Sequence, residues 1–124
     1  MLIVTDYIFR HELKPLAKYL SLRDISQGAS KVLKDLATAV KPPRKLENFR
    51  FFKVRIGAKT QGRMIVFATV GNSKIVPVLI RLKKDKIFGM NMSMNNPDVC
   101  RQIDANLERV LDDIEKGKCQ RFEV

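Results

Sequence analysis

Lys53 and Arg55 stand two residues apart in an apolar run over 51–56. In an extended chain they share one face while Val54 and Ile56 take the other. Arg63 alternates with Ile65 and Phe67 in a second such run, and a third run ends in Arg81, Lys83, Lys84 and Lys86. If the three runs are neighbouring strands, these cations gather on one open surface with Asp85 as the one acid close in sequence. A surface of that kind binds phosphates, and crowding among like charges lowers the pKa of a lysine within it. Phe51, Phe52, Phe67 and Phe88 offer rings on which bases can stack, although such rings in a small domain more often fill the core.

Other chemistries are excluded by what the chain lacks. Its single histidine, His11, argues against a Ser-His-Asp or paired-histidine mechanism. Cys100 and Cys119 have no partner at metal-ligand spacing, so neither a zinc finger nor a histidine-based metalloenzyme is expected and no metal site is assigned. The cysteines are expected to be free thiols, as suits a reducing cytosol. No apolar run approaches the ~20 residues that span a bilayer, and the opening MLIVTDYIF lacks the basic region and cleavage site of a secretory signal. A cytoplasmic protein with no membrane partner and no cofactor is the expectation.

The composition supports a polyanion as partner. The 124 residues carry a net charge of +11, with 45% hydrophobic and 30% charged residues, as in one globular domain spanning 1–124. The charge is not spread evenly. Residues 46–90 hold ten basic and two acidic residues, whereas residues 91–124 hold five basic and seven acidic ones.

The elements that must position the cations follow from periodicity. Residues 2–9 predict a first strand. Helical spacing of Leu13, Leu16, Ala17 and Leu20 predicts a helix that tolerates Pro15 only in its first turn. Leu22, Ile25, Ala29, Val32, Leu33, Leu36 and Val40 predict a second helix ended by Pro42 and Pro43. Strands are expected over 51–56, 62–70 and 75–82, the last two joined by a tight turn at Gly71-Asn72, with Pro77 marking a bulge. Asn95 or Asn96 caps a last helix with Pro97 in its first turn, an apolar face of Val99, Ile103, Leu107, Val110, Leu111 and Ile114, and Gly117 at its end. The fold class is α+β: an N-terminal strand and helical hairpin packed on a small antiparallel sheet, with a C-terminal helix.

Two segments carry a resemblance. FRHELKPLAKYLSLRDI (9–25) resembles the opening helical hairpin of the RelE/ParE superfamily of bacterial toxins. FFKVRIGAKTQGRMIVFATVGNSKIVPVLIRLKKDK (51–86) is similar to that superfamily's core: a basic strand, a Gly-Arg strand, then a hydrophobic strand ending in a basic loop. The long hairpin and the tail are closer to HigB-like and phage-related members than to the shortest ones. The resemblance implies the toxin of a type II toxin–antitoxin system, a metal-independent endoribonuclease that cleaves messenger RNA at the ribosome and is restrained by a cognate antitoxin. It implies Lys53, Arg55, Arg63 and Lys84 as catalytic residues. Arg63 would hold the scissile phosphate and Lys53 would be the better base, an arginine being a poor one. Arg81, Lys83, Lys86 and Phe88 would contact RNA. Many catalytic members carry a tyrosine or histidine after the last core strand. Here that stretch reads KIFGMNMS, which leaves the general acid unassigned. Two other readings stay open: a ParE-like toxin that inhibits DNA gyrase without cutting RNA, and a non-toxic basic RNA-binding module.

Overall fold

Three long strands organise the molecule: residues 62–68 and 75–80 are buried throughout, whereas residues 52–56 alternate between buried and open side chains. The computed structural model describes residues 1–44, 46–69, 71, 73–88 and 92–124. Strands β1 (Leu2–Thr5), β2 (Thr38–Val40), β3 (Phe49–Ile56), β4 (Gly62–Thr69), β5 (Ile75–Leu82) and β6 (Cys119–Phe122) form one sheet in the order β2-β3-β4-β5-β1-β6. β1 runs parallel to β5, and every other pairing is antiparallel. The helical elements are α1 (Asp6–Ile8) with the turns that continue it, α2 (Leu22–Leu33) and α3 (Pro97–Glu115). The expected α+β class is what forms.

The first strand is shorter than its apolar run suggested, ending at Thr5, whose hydroxyl accepts from the Ile8 amide. The hairpin's first arm is not one α-helix. α1 widens to a π turn over Phe9–Leu13 and tightens to a 3-10 turn over Lys14–Leu16. Pro15 explains the change, since it lacks the N–H an α-helix would direct to the His11 carbonyl and its ring would clash there. The second arm, α2, is opened by a capping box between Ser21 and Asp24. It stops at Leu33 instead of reaching Val40. Asp35 adopts φ 58° and the Leu36 amide bonds back to the Lys31 carbonyl at 2.8 Å, a left-handed cap that frees Thr38–Val40 to become β2. Leu36 fits the helical spacing yet is 68% exposed.

α2 lies against the face of the sheet that carries Val54, Ile56 and Met64. The approach is so close that a Cβ on Gly28 would fall 2.6 Å from Ile56 Cγ2 and 2.7 Å from Met64 Cε. At Pro77 the register slips: Ile65 pairs with Leu79 and Val66 with Pro77, leaving Val78 as the bulged residue. The turn expected at Gly71-Asn72 lies partly outside the described residues; Gly71 has φ 83°, and the Thr69 amide reaches the Lys74 carbonyl at 3.0 Å.

β1 is too short to cover all of β5, so side chains satisfy the rest of that edge. Glu12 Oε1 accepts the Ile80 amide at 2.7 Å, and Asn106 Nδ2 donates to the Val78 carbonyl at 2.7 Å. Asn106 is fully buried in α3, which begins with Asn96 as its cap and Pro97 in its first turn. Val99, Ile103, Leu107 and Val110 of α3 join the core. Gly117, at φ 72°, ends the helix and turns the chain into β6, a strand that periodicity did not reveal. The acidic face of α3 is engaged: Arg44 reaches Asp104 at 2.8 Å and Glu108 at 3.5 Å, and Asp113 accepts the Tyr7 amide at 2.8 Å. Cys100 and Cys119 are free thiols. Among the described residues no helix is long and apolar enough to cross a membrane.

Candidate phosphate-binding site

Strand register places Arg55 opposite Arg63, and Arg63 opposite Arg81. Neighbouring strands lie about 4.8 Å apart, so the three arginines cross the sheet as a row roughly 10 Å long. Lys53, two residues before Arg55 and opposite Ile65, stands on the same face beside that row. The face therefore has two halves. Phe49, Phe51 and Phe67 form its apolar half, with Phe49 edge-on to Phe67 at 5.1 Å and Phe51 tilted against it at 5.9 Å. Lys53, Arg55, Arg63 and Arg81 form the cationic half. The convergence expected from alternation is present for these four.

Arg63 is positioned by the β3–β4 connection. Its Nη1 donates to the Thr60 carbonyl at 2.5 Å and the Gly62 carbonyl at 3.0 Å, and the residue is only 8% exposed. The connection is tight: Gly57, Lys59 and Thr60 all have positive φ, and the Thr60 and Gln61 amides bond back to Gly57 and Ala58. Two non-glycine residues in the left-handed region cost on the order of 1 kcal/mol each or more. Gly57 cannot be replaced cheaply, because at φ 83° its Cβ would lie 2.7 Å from Leu20 Cδ2.

The electrostatics follow from this packing. Lys53 is half-buried, and burial, then Arg63, then Arg55 push its ammonium below the ordinary lysine range. Burial, with Arg55 second, also lowers Arg63. Lys53 is thus the group on this face whose neutral form is made most accessible by its surroundings.

The remaining predicted residues divide. Arg81 is held by a buried carboxylate, its Nη1 pairing with Glu12, whose side chain is 2% exposed. The Arg81 guanidinium also lies 4.7 Å over the Phe88 ring, and that ring is itself buried. Lys84 is not gathered with Lys53 and Arg63 by any of these contacts; its ammonium sits 4.3 Å from the ring centroid of Tyr19. Lys83 and Lys86 are exposed, with the Lys83 amide bonded to the Gln61 carbonyl at 2.8 Å. Asp85 accepts the Ile87 and Phe88 amides, shaping the loop beside a groove of about 710 Å³ that runs to Asp98, Arg101 and Gln102 of α3. Gly89, Met90 and Asn91 of the KIFGMNMS stretch lie outside the described residues.

Sequence reasoning overlooked three participants. Glu12 occupies the buried stripe four residues after Ile8, and a glutamate in that place signals a counter-ion for a buried cation. Tyr19 comes to the basic loop from the opposite end of the chain, with its carbonyl accepting from Gln61 Nε2 at 3.0 Å. No local pattern marks it. Lys31, near the end of α2, donates to the Arg55 carbonyl at 2.8 Å. His11 instead stacks on Tyr7 at 4.5 Å, in a cleft shared with Asp6, Arg10, Asp113 and Lys118. Among the described residues no three His, Cys, Asp or Glu side chains gather as metal ligands.

Comparison with known protein families, with curated proteins and with solved structures returned no match. The functional reading rests on the sheet's own geometry.

Proposed function

We propose that this chain is a toxin of the RelE/ParE type, an endoribonuclease that cleaves messenger RNA in translation and is neutralised by an acidic cognate antitoxin. The observation that carries the reading is the placement of Lys53 beside Arg55 and Arg63 on one sheet face, where burial first and then the two arginines lower the lysine pKa. In the reaction the neutral Lys53 amine takes the proton of a ribose 2′-hydroxyl. The 2′-oxygen then bonds to the adjacent phosphorus while the bond from phosphorus to the 5′-oxygen breaks. The products are a 2′,3′-cyclic phosphate and a 5′-hydroxyl, the departing oxygen gaining a proton from solvent. Arg63, aimed by the Thr60 and Gly62 carbonyls, stabilises the charge that builds on the phosphoryl oxygens, with Arg55 beside it. Preorganised donors of this kind contribute about 10²–10³ in rate each.

The test is expression in a host, and incubation of the purified chain with messenger RNA with and without ribosomes, each followed by primer extension and analysis of the fragment ends. Cuts bearing 2′,3′-cyclic phosphate ends are expected, with a loss of about 10²-fold or more in Lys53→Met and Arg63→Gln. Intact RNA with gyrase-dependent DNA breaks would instead establish the ParE-like reading. Binding of RNA with neither outcome would establish the non-toxic module.

A further inference from the structure

Among the described residues β2 pairs with β3 only through Phe51, Phe52 and Lys53, and the stretch from Val54 to Ile56 has no strand on that side. The Lys31 ammonium crosses this open edge to the Arg55 carbonyl. A cleft of about 350 Å³ opens there, lined by Lys31, Thr38, Lys53, Arg55 and Thr60 with Leu36 and Val54. Among the described residues its lining contains three cations, the hydroxyls of Thr38 and Thr60, and no carboxylate. An ammonium has three N–H donors and the Arg55 carbonyl accepts one, so the group can serve a second acceptor without releasing the strand.

A ligand that suits this lining is compact, anionic and rich in acceptor oxygens. A phosphodiester meets all three conditions. Lys53 and Arg55 lie both in this cleft and in the row that ends at Arg81, so one ligand backbone can pass from the row into the cleft. We infer that the cleft is a second phosphate subsite, in which Lys31 with Thr38 holds the phosphate next to the one attacked, while Thr60, whose hydroxyl donates to the Lys59 carbonyl at 2.7 Å, forms the wall. This rests on the ribonuclease reading for the identity of the first phosphate. It adds that the substrate is a single-stranded oligonucleotide crossing the open edge of β3, and that the chain discriminates against a dinucleotide.

The experiment measures affinity of the full chain for RNA oligonucleotides of two, three, four and six nucleotides, each with a 2′-deoxy sugar at every position that could be cut. A step of roughly five- to tenfold on adding the second phosphate is expected, from one further charge-assisted contact. Lys31→Gln, which keeps a donor for the Arg55 carbonyl, removes the step and lowers the slope of log affinity against log salt by about 0.7. Lys31→Arg restores both. Circular dichroism and thermal melting confirm that each variant is folded. A step that survives in Lys31→Gln overturns the proposal, and so does a salt slope that does not change. Inorganic phosphate competing at the same concentration as the tetranucleotide also overturns it, since the cleft would then hold a small free anion. Failure of the ribonuclease reading is separately visible: uncut all-ribose RNA that still shows the Lys31-dependent step refutes cleavage and leaves the subsite standing.

Discussion

Replacing Glu12 by alanine strikes the junction between the N-terminal helical segment and the cationic row. The carboxylate is 2% exposed, accepts the Ile80 amide at 2.7 Å and pairs with Arg81. Its removal leaves the Ile80 N–H buried and unsatisfied, at a cost of about 1–3 kcal/mol. It also strips the counter-charge from Arg81. Breaking a fully buried pair costs about 3–5 kcal/mol, but the Arg81 side chain is 19% exposed and keeps the Ile80 carbonyl as a partner, so about 2 kcal/mol is the better figure. The expected loss is about 3–5 kcal/mol, or a fall in melting temperature of roughly 10–20 °C for a domain of this size. The fold survives if its total stability lies in the usual range of about 5–15 kcal/mol. Glu12→Gln retains an acceptor for Ile80 and should lose about half as much. Urea titration with an unchanged m-value is the assay. The double variant Glu12→Gln, Arg81→Met should recover most of the loss, because it removes both charges at once and keeps an acceptor for the Ile80 amide. A Glu12→Ala loss below about 1 kcal/mol, or a double variant no more stable than Glu12→Ala, would refute the reasoning.

Two further outcomes follow from the site and from the helix packed behind it. The cleavage rate should rise with pH until Lys53 is neutral, and should do so below the pH at which an ordinary lysine titrates, because burial and the two arginines disfavour its charged form. Arg55→Gln removes one of those cations, so the rising limb should move to higher pH; a profile that does not move, measured on pre-bound RNA, would remove Lys53 from the role of base. Gly28→Ala gains about 1 kcal/mol of helix propensity but places a methyl 2.6 Å from Ile56 Cγ2, on a strand that cannot yield. Overpacking should win, for a net loss of about 1–2 kcal/mol by thermal melting, and a stabilised variant would contradict the close packing of α2.

Local pattern was enough for the elements whose causes are local. The alternation in residues 51–56, the continuous apolar runs that follow it, the capping residues of α3, and the bulge at Pro77 could all be read from residue type and spacing. The same alternation placed Lys53, Arg55 and Arg63 on one face, because side-chain direction in a strand has a period of two and needs only the correct neighbour. The short strands were not legible. Thr38–Val40 continued a helical spacing and yielded to a left-handed cap at Asp35, while Cys119–Phe122 has too few apolar residues to announce itself.

Contacts between distant segments settle which cations are neighbours and what holds Lys84 and Arg81. Lys84 and Arg81 look equivalent in a basic run, yet one rests on Tyr19 from far up the chain and the other is held by the buried Glu12. Lys31, unremarkable on its helix, reaches the edge of β3 because β2 ends too soon to cover it. The sequence by itself determined how much positive charge the central strands carry and on which side of each strand it points. Register, strand length and the return of distant segments decided which of those cations share a face and which side chains hold them, because those contacts join residues that no periodicity connects.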